Sequence, residues 1–195
     1  MKKYIFPVIL ILTCFLSCLD DTDNYSTYFP LKVGNTWYYD YPTPQTNPWA
    51  MKTIKSSLIN NNTVYYEWRY GEGVDLVDWI RRDEQGNIWN LKNNNEYLWF
   101  AFTLDNGSTY IYCYPDTFGH EIYYYNVSVR RNKSAEVPAG VFDDCIILFF
   151  DIPQVKDEEK IYTFAPNIGL VRLQHTGWST KRLTSAIIDG VTIGN

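Results

Sequence analysis

The stretch that decides the fold is Met51-Lys52-Thr53-Ile54-Lys55-Ser56-Ser57-Leu58-Ile59, then Asn60-Asn61-Asn62, then Thr63-Val64-Tyr65-Tyr66-Glu67-Trp68-Arg69-Tyr70. In the second arm Val64, Tyr66, Trp68 and Tyr70 share one face, and Tyr65, Glu67 and Arg69 share the other. Alternation with period two marks a half-buried strand. Asparagines between two such runs mark a hairpin.

The same pattern spreads in both directions. Residues 36–41 form the first strand, and a turn rich in proline (Pro42, Pro44, Pro48) leads to the hairpin. Strands 74–82 and 87–91 flank the turn Asp83-Glu84-Gln85-Gly86. Strands 96–104 and 109–114 flank Asp105-Asn106-Gly107-Ser108, and Asn-Gly is the strongest short hairpin cue. Residues 122–130 run into a turn at Asn132-Lys133, and 141–151, 160–164, 169–175 and 178–188 complete the set. Short helical turns fit only Asp75–Trp79 or Asn47–Ala50. The expectation is an all-β, mainly antiparallel protein. A single curved sheet forms an open or half barrel with few or no helices.

The start of the chain carries a different signal. Two lysines precede the apolar run Tyr4-Ile5-Phe6-Pro7-Val8-Ile9-Leu10-Ile11-Leu12, which ends in Phe15-Leu16-Ser17-Cys18. A positive n-region, an apolar h-region and a small residue at the cut make a secretory signal. The run is too short to span a bilayer, which takes about 20 apolar residues. Phe15-Leu16-Ser17-Cys18 resembles the lipobox of bacterial lipoproteins, which implies lipidation at Cys18 and a membrane anchor. Residues 1–17 are then the signal peptide, 18–27 the lipidated cysteine with a tether, and 28–195 one β domain. The tether holds Asp20, Asp21 and Asp23 with few apolar residues, so it has no reason to fold. Acids just after the cysteine resemble the surface-export signal of some Gram-negative phyla. The expected location is an outer-membrane lipoprotein, facing either the periplasm or the cell surface.

Composition narrows the function. A net charge of −5 argues against a nucleic-acid partner, which needs clustered Lys and Arg. Arg81-Arg82 and Arg130-Arg131 are isolated pairs whose members point to opposite strand faces. Aromatics make up 17% of the chain, with Tyr most abundant, and they serve strand packing first and ligand stacking second. Cys113 and Cys145 remain after cleavage in an oxidising compartment. A bridge between them would add about 3–4 kcal/mol in the chain-entropy model, and two buried thiols fit the spacing equally well.

Three stretches resemble a family of bacterial secreted proteins and outer-membrane lipoproteins. They are Tyr28-Phe29-Pro30-Leu31-Lys32-Val33-Gly34-Asn35-Thr36-Trp37, Val137-Pro138-Ala139-Gly140-Val141-Phe142 and Ala165-Pro166-Asn167-Ile168-Gly169-Leu170-Val171. The resemblance extends to the half-barrel fold of the periplasmic lipoprotein carrier and its outer-membrane receptor. It implies a curved sheet around an apolar cavity. Those carriers close the cavity with helices, and this chain offers none, so a filled core fits as well as an open one. Asp143-Asp144 adds a residue to the family spacing, which implies a local bulge.

No constellation for chemistry stands out. His120 and His175 are the only histidines, and no nucleophile elbow surrounds Ser179 or any other serine. The acids Asp75, Asp78, Asp83 and Glu84, Asp143 and Asp144, and Asp157, Glu158 and Glu159 do not form a glycosidase pair. No cofactor, catalytic residue or metal site is expected. The expected role is a non-catalytic binding module for an apolar or amphipathic ligand such as a lipid. The alternatives are docking of a glycan or envelope partner on exposed aromatics, or a purely structural lipoprotein. Trp49, Trp68, Trp89 and Trp99 are the candidate contact residues. Inward tryptophans around a cavity favour the first role, and an outward row favours the second.

Overall fold

The computed structural model describes residues 27–40, 51–71, 75–115, 122–177 and 179–194. They hold β1 (Thr36–Asp40), β2 (Met51–Asn60), β3 (Thr63–Arg69), β4 (Val77–Arg82), β5 (Ile88–Lys92), β6 (Asn95–Phe100) and β7 (Thr109–Pro115). The second half holds β8 (Ile122–Val137), β9 (Gly140–Asp151), β10 (Lys160–Ala165), β11 (Gly169–His175), β12 (Ser179–Ile188) and β13 (Val191–Gly194). No helix occurs among the described residues, so the turn expected at Asp75–Trp79 is absent. Residues 47–50 lie outside the described residues.

Pairing is antiparallel throughout, in the order β6-β5-β4-β3-β2-β1-β12-β11-β10-β9-β8-β7, with β13 added beside β12. The sheet curls into a nearly closed barrel with one unsealed seam, between β6 and β7. Two-residue turns with positive φ at both positions set the register at Asn61-Asn62, Asn93-Asn94 and Asp189-Gly190. That is the backbone a tight hairpin needs to match strand twist.

The Asn-Gly cue at 106–107 did not make a hairpin. β6 and β7 are the two edges of the sheet and do not pair. The turn docks on β8 instead, where Gly107 N–H donates to Val129 O (2.8 Å) and Val129 N–H to Ser108 O (2.9 Å). Arg131 holds the same loop through Phe102 O (2.5 Å) and Leu104 O (3.2 Å). At the seam the Tyr110 hydroxyl stands in for ladder bonds. It donates to Trp99 O at 2.7 Å and accepts from Ala101 N–H at 3.3 Å.

The expected turn at Asn132-Lys133 is also replaced. β8 runs on to Val137, with a bulge at Arg131-Asn132 where Asn132 takes φ 53°. The bulge expected at Asp143-Asp144 is present opposite it, with Asp144 at φ 52°. Two bulges let this long hairpin bend. Its tip reaches β12, where Ala139 N–H donates to Leu183 O at 2.9 Å.

One end of the barrel is filled by the segment before β1. Phe29 is 1% exposed and meets the rings of Trp37, Trp68, Phe100 and Phe164 at 5.0–6.2 Å. Asn35, also buried, ties the segment down through Pro30 O (3.0 Å) and Asp189 N–H (2.9 Å). Two of the three stretches read from the sequence meet here. Trp37 Nε1 donates to Ile168 O at 2.6 Å, and Asn167 N–H donates to Thr27 O at 2.8 Å. Gly169 takes φ +96° and leaves room for Trp37, whose Nε1 lies 3.1 Å from where a Cβ would sit.

Truncating a buried Phe removes its transfer energy and leaves a cavity. Phe29→Ala is expected to destabilise the protein by about 3–5 kcal/mol in denaturant unfolding. A loss below about 1 kcal/mol would show that the segment is not part of the core.

Candidate functional site: a lysine-lined chamber inside the barrel

Period two aims alternate residues of every strand inward. At the end opposite Phe29 this brings together Tyr70 after β3, Asp78 and Lys92 from β4 and β5, Trp99 from β6, Tyr112 from β7, Tyr125 from β8, and Lys160 with Tyr162 from β10. With Leu76 and Phe150 they line a cavity of about 160 Å³. Toward Phe29 the core rings are buried. Trp37, Trp68, Phe100, Phe150 and Phe164 are all at most 2% exposed.

Asp78 is the one carboxylate among the lining residues, and it is saturated. It accepts from Tyr70 Oη (2.5 Å), Asn90 Nδ2 (3.0 Å) and Lys92 Nζ (2.5 Å). Burial holds the Tyr70 phenol well above its ordinary pKa, and the adjacent Asp78 charge adds to that.

Lys52 enters from β2 and is 2% exposed. Its ammonium lies over Tyr70 at 3.7 Å and over Trp68 at 4.7 Å. Burial drives its pKa well below the ordinary value; nearby Lys181 lowers it further, and Asp78 opposes both. Burial also lowers Lys181. Lys160 Nζ donates to Tyr125 Oη at 3.0 Å and lies over that ring. Trp68 Nε1 is buried with no hydrogen-bond partner, and its ring packs on Tyr70 and Trp99, both of which line the chamber.

The rim adds His175, whose Nε2 is 3.8 Å from Glu158. Burial and Lys160 lower its pKa, while Glu158 and Glu159 raise it. His175 stands opposite Ser179 across β11 and β12.

A second hollow, of about 560 Å³, lies at the Phe29 end between Leu31, the β2–β3 hairpin and the β4–β5 turn. Its polar walls are already committed. Asp83 accepts from Asn87 N–H, Gln85 N–H and Trp89 Nε1, and Arg81 pairs with Glu96 (2.6 Å). We assign the site to the smaller chamber, because it opens among the inward rings of the barrel, with Trp99, four tyrosines and Lys160 on its wall.

The structure redistributes the residues singled out from sequence. Trp68 and Trp99 face inward and are buried. This corrects the outward placement of Trp99 that a docking surface would need. Trp89 does lie on the outer face, but it is tied up by Asp83 (2.8 Å) and covered by Arg81. Cys18, Trp49 and His120 lie outside the described residues. The bridge between Cys113 and Cys145 is not made, and both are free thiols. Cys113 sits opposite Tyr124 and Cys145 opposite Lys133, nine residues apart on β8. That is roughly 30 Å along the strand, against a Cα separation of about 7 Å at most for a disulfide. Burial pushes the Cys145 thiol up to about 11, so it is an unreactive core residue.

Lys52, Lys160 and Lys181 were not singled out from sequence. The signal was there: each shares parity with an apolar neighbour on its strand (Ile54, Tyr162, Leu183), so each breaks an inward face at the same end. Among the described residues, no group of His, Cys, Asp and Glu could hold a metal ion, and no helix is long and apolar enough to cross a membrane.

No family model and no curated protein matches the chain. Among solved structures, it is similar to a "putative lipoprotein" from Parabacteroides distasonis, with 14% identity, a TM-score of 0.38, and 81% of this chain and 97% of that one covered.

A buried lysine without a carboxylate of its own costs stability. Lys52→Met is therefore expected to stabilise the protein at pH 7 by about 1–3 kcal/mol in denaturant unfolding. Lys52 has a lowered pKa when folded, so between that value and the ordinary value near 10.4 the unfolded chain binds more protons. Wild-type stability rises with pH through that window, and the mutant's advantage shrinks. A destabilised mutant, or an advantage that grows toward pH 10, would contradict this.

Proposed function

We propose that this protein is a lipid-anchored lipoprotein of the bacterial envelope and a non-catalytic binding module. Its ligand is a small amphipathic molecule, or one end of a larger one, seated in the lysine-lined chamber. The observation that carries the reading is the chamber itself: a tyrosine- and lysine-lined hollow beside a closely packed aromatic core.

Size sets the limit on what enters. Sites for whole drug-sized molecules run from about 300 to 1,000 Å³. At about 160 Å³ the chamber takes a head group or a short chain, not a complete lipid. This narrows the carrier-like role expected from the half-barrel resemblance. Docking of a glycan on surface aromatics is weaker, because Trp68 and Trp99 are buried and Trp89 is covered by Arg81. The anchor rests on the signal ending at Ser17-Cys18, and the acidic residues after it leave the domain free of the membrane plane.

Two measurements test the reading. Cys18→Ser should move the protein from the membrane fraction to the soluble fraction, and the wild type should carry lipid mass on its cysteine. A mutant that still sediments with membranes, beside an unmodified wild type, sinks the anchor. Native mass spectrometry of the full chain in neutral detergent, after incubation with an envelope extract, should show a retained small mass that organic solvent removes unchanged. No retained mass counts against the binding role, and release of a converted product counts against a non-catalytic one.

A further inference from the structure

Two of the rings on the chamber wall belong to the edges of the sheet. Trp99 comes from β6 and Tyr112 from β7, and these strands are not hydrogen-bonded to each other. Their rings stack across the seam, with centroids 6.4 Å apart and planes at 19°. The Tyr110 hydroxyl ties the same seam through Trp99 O and Ala101 N–H. The joints on either side are full ladders: β5 pairs with β6 from Ile88 to Lys92, and β7 with β8 from Thr109 to Pro115. Opening a ladder strands a row of backbone donors and acceptors. Opening the seam unstacks one ring pair and breaks the two bonds of one hydroxyl. In this part of the wall the seam is therefore the joint that yields first.

The outside of the two edges is apolar. Alternation turns Leu98 outward from β6, and Ile111 and Cys113 outward from β7. Ile111 is 54% exposed, and so is Tyr124, which stands opposite Cys113 on β8. β7 carries no charged residue, although exposed edge strands are commonly guarded by charge. The inner side differs: Asp78, Lys92 and Lys160 stand among the tyrosines of the chamber wall. At about 160 Å³ the chamber holds a head group and leaves an attached chain no room. A chain leaving by the seam meets apolar side chains on either hand, and covering them removes apolar surface from water.

We propose that the β6–β7 seam is the lateral entrance of the chamber and that the ligand is a single-chain amphiphile. Its head group sits in the chamber, and its apolar chain passes between Trp99 and Tyr112 onto the outer strip at Leu98, Ile111 and Cys113. The inference rests on the binding role proposed above and adds the ligand's shape and its way in.

The test uses the full chain carrying Cys18→Ser in detergent-free buffer. The probe is monodecanoylglycerol with a diazirine at mid-chain, kept below its micelle concentration. After photolysis, peptide mass spectrometry should place the label around Leu98, Ile111 and Cys113. Excess unlabelled monodecanoylglycerol should displace it, and glycerol should not. Ile111→Glu should weaken labelling by about ten-fold, since it puts a charge without a partner on the path of the chain. Ile59→Glu, at an exposed residue of the β2–β3 hairpin, should leave labelling unchanged. Tyr110→Phe keeps the ring and removes the tie across the seam, so it should speed labelling. Displaceable label confined to the rest of the chamber wall overturns the seam entrance and leaves the binding role standing. No displaceable label at either place overturns both.

Discussion

A barrel of twelve paired strands encloses more space than its own inward side chains fill easily, since width grows with strand number and about eight strands already give an interior that side chains just fill. Phe29 answers that constraint. It comes from outside the sheet and sits among Trp37, Trp68, Phe100 and Phe164, so its ring completes a core that the strands alone would leave hollow. The high aromatic content has the same cause. Phe100, Phe150, Tyr162 and Phe164 stack toward the axis because only large rings reach across it.

At the far end the described residues supply no such plug. There the inward positions carry Tyr, Lys and Asp, whose polar tips cannot pack as Phe29 does. Asp78 is satisfied by its three donors, and the lysines rest on ring faces. The interior therefore runs from dry to charged along one axis. The seam between β6 and β7 crosses both parts, and Tyr110 secures it near the dry end with a single hydroxyl.

Much of this was legible in the sequence. Alternation in residues 63–70 put Trp68 on one face and Glu67 and Arg69 on the other, and the strand turns the Trp68 face inward. The extra residue at Asp143-Asp144 was readable as a bulge, because an insertion in a strand must leave the ladder somewhere. The failures have a common origin in tertiary contact. Asn106-Gly107 is a sound turn, but β8 took its backbone bonds and left β6 and β7 as edges. Asn132 looked like a turn and became a bulge, because β9 continued to pair on both sides of it. Asp189-Gly190 carried a usable signal for the hairpin to β13. The chamber itself needs closure: which lysines share a space depends on strands that meet only when the sheet curls round.

The central claim is that the segment before β1 is built into the barrel core and leaves the chamber at the other end. Hydrogen exchange on the full chain reads this directly at Gly34 and Asn167, whose amides donate to Ile54 O and Thr27 O. Protection matching that of the buried β8 amides around Val127 and Val129 is the predicted result. Exchange of Gly34 and Asn167 at the rate of an unstructured chain, with β8 still protected, would contradict it.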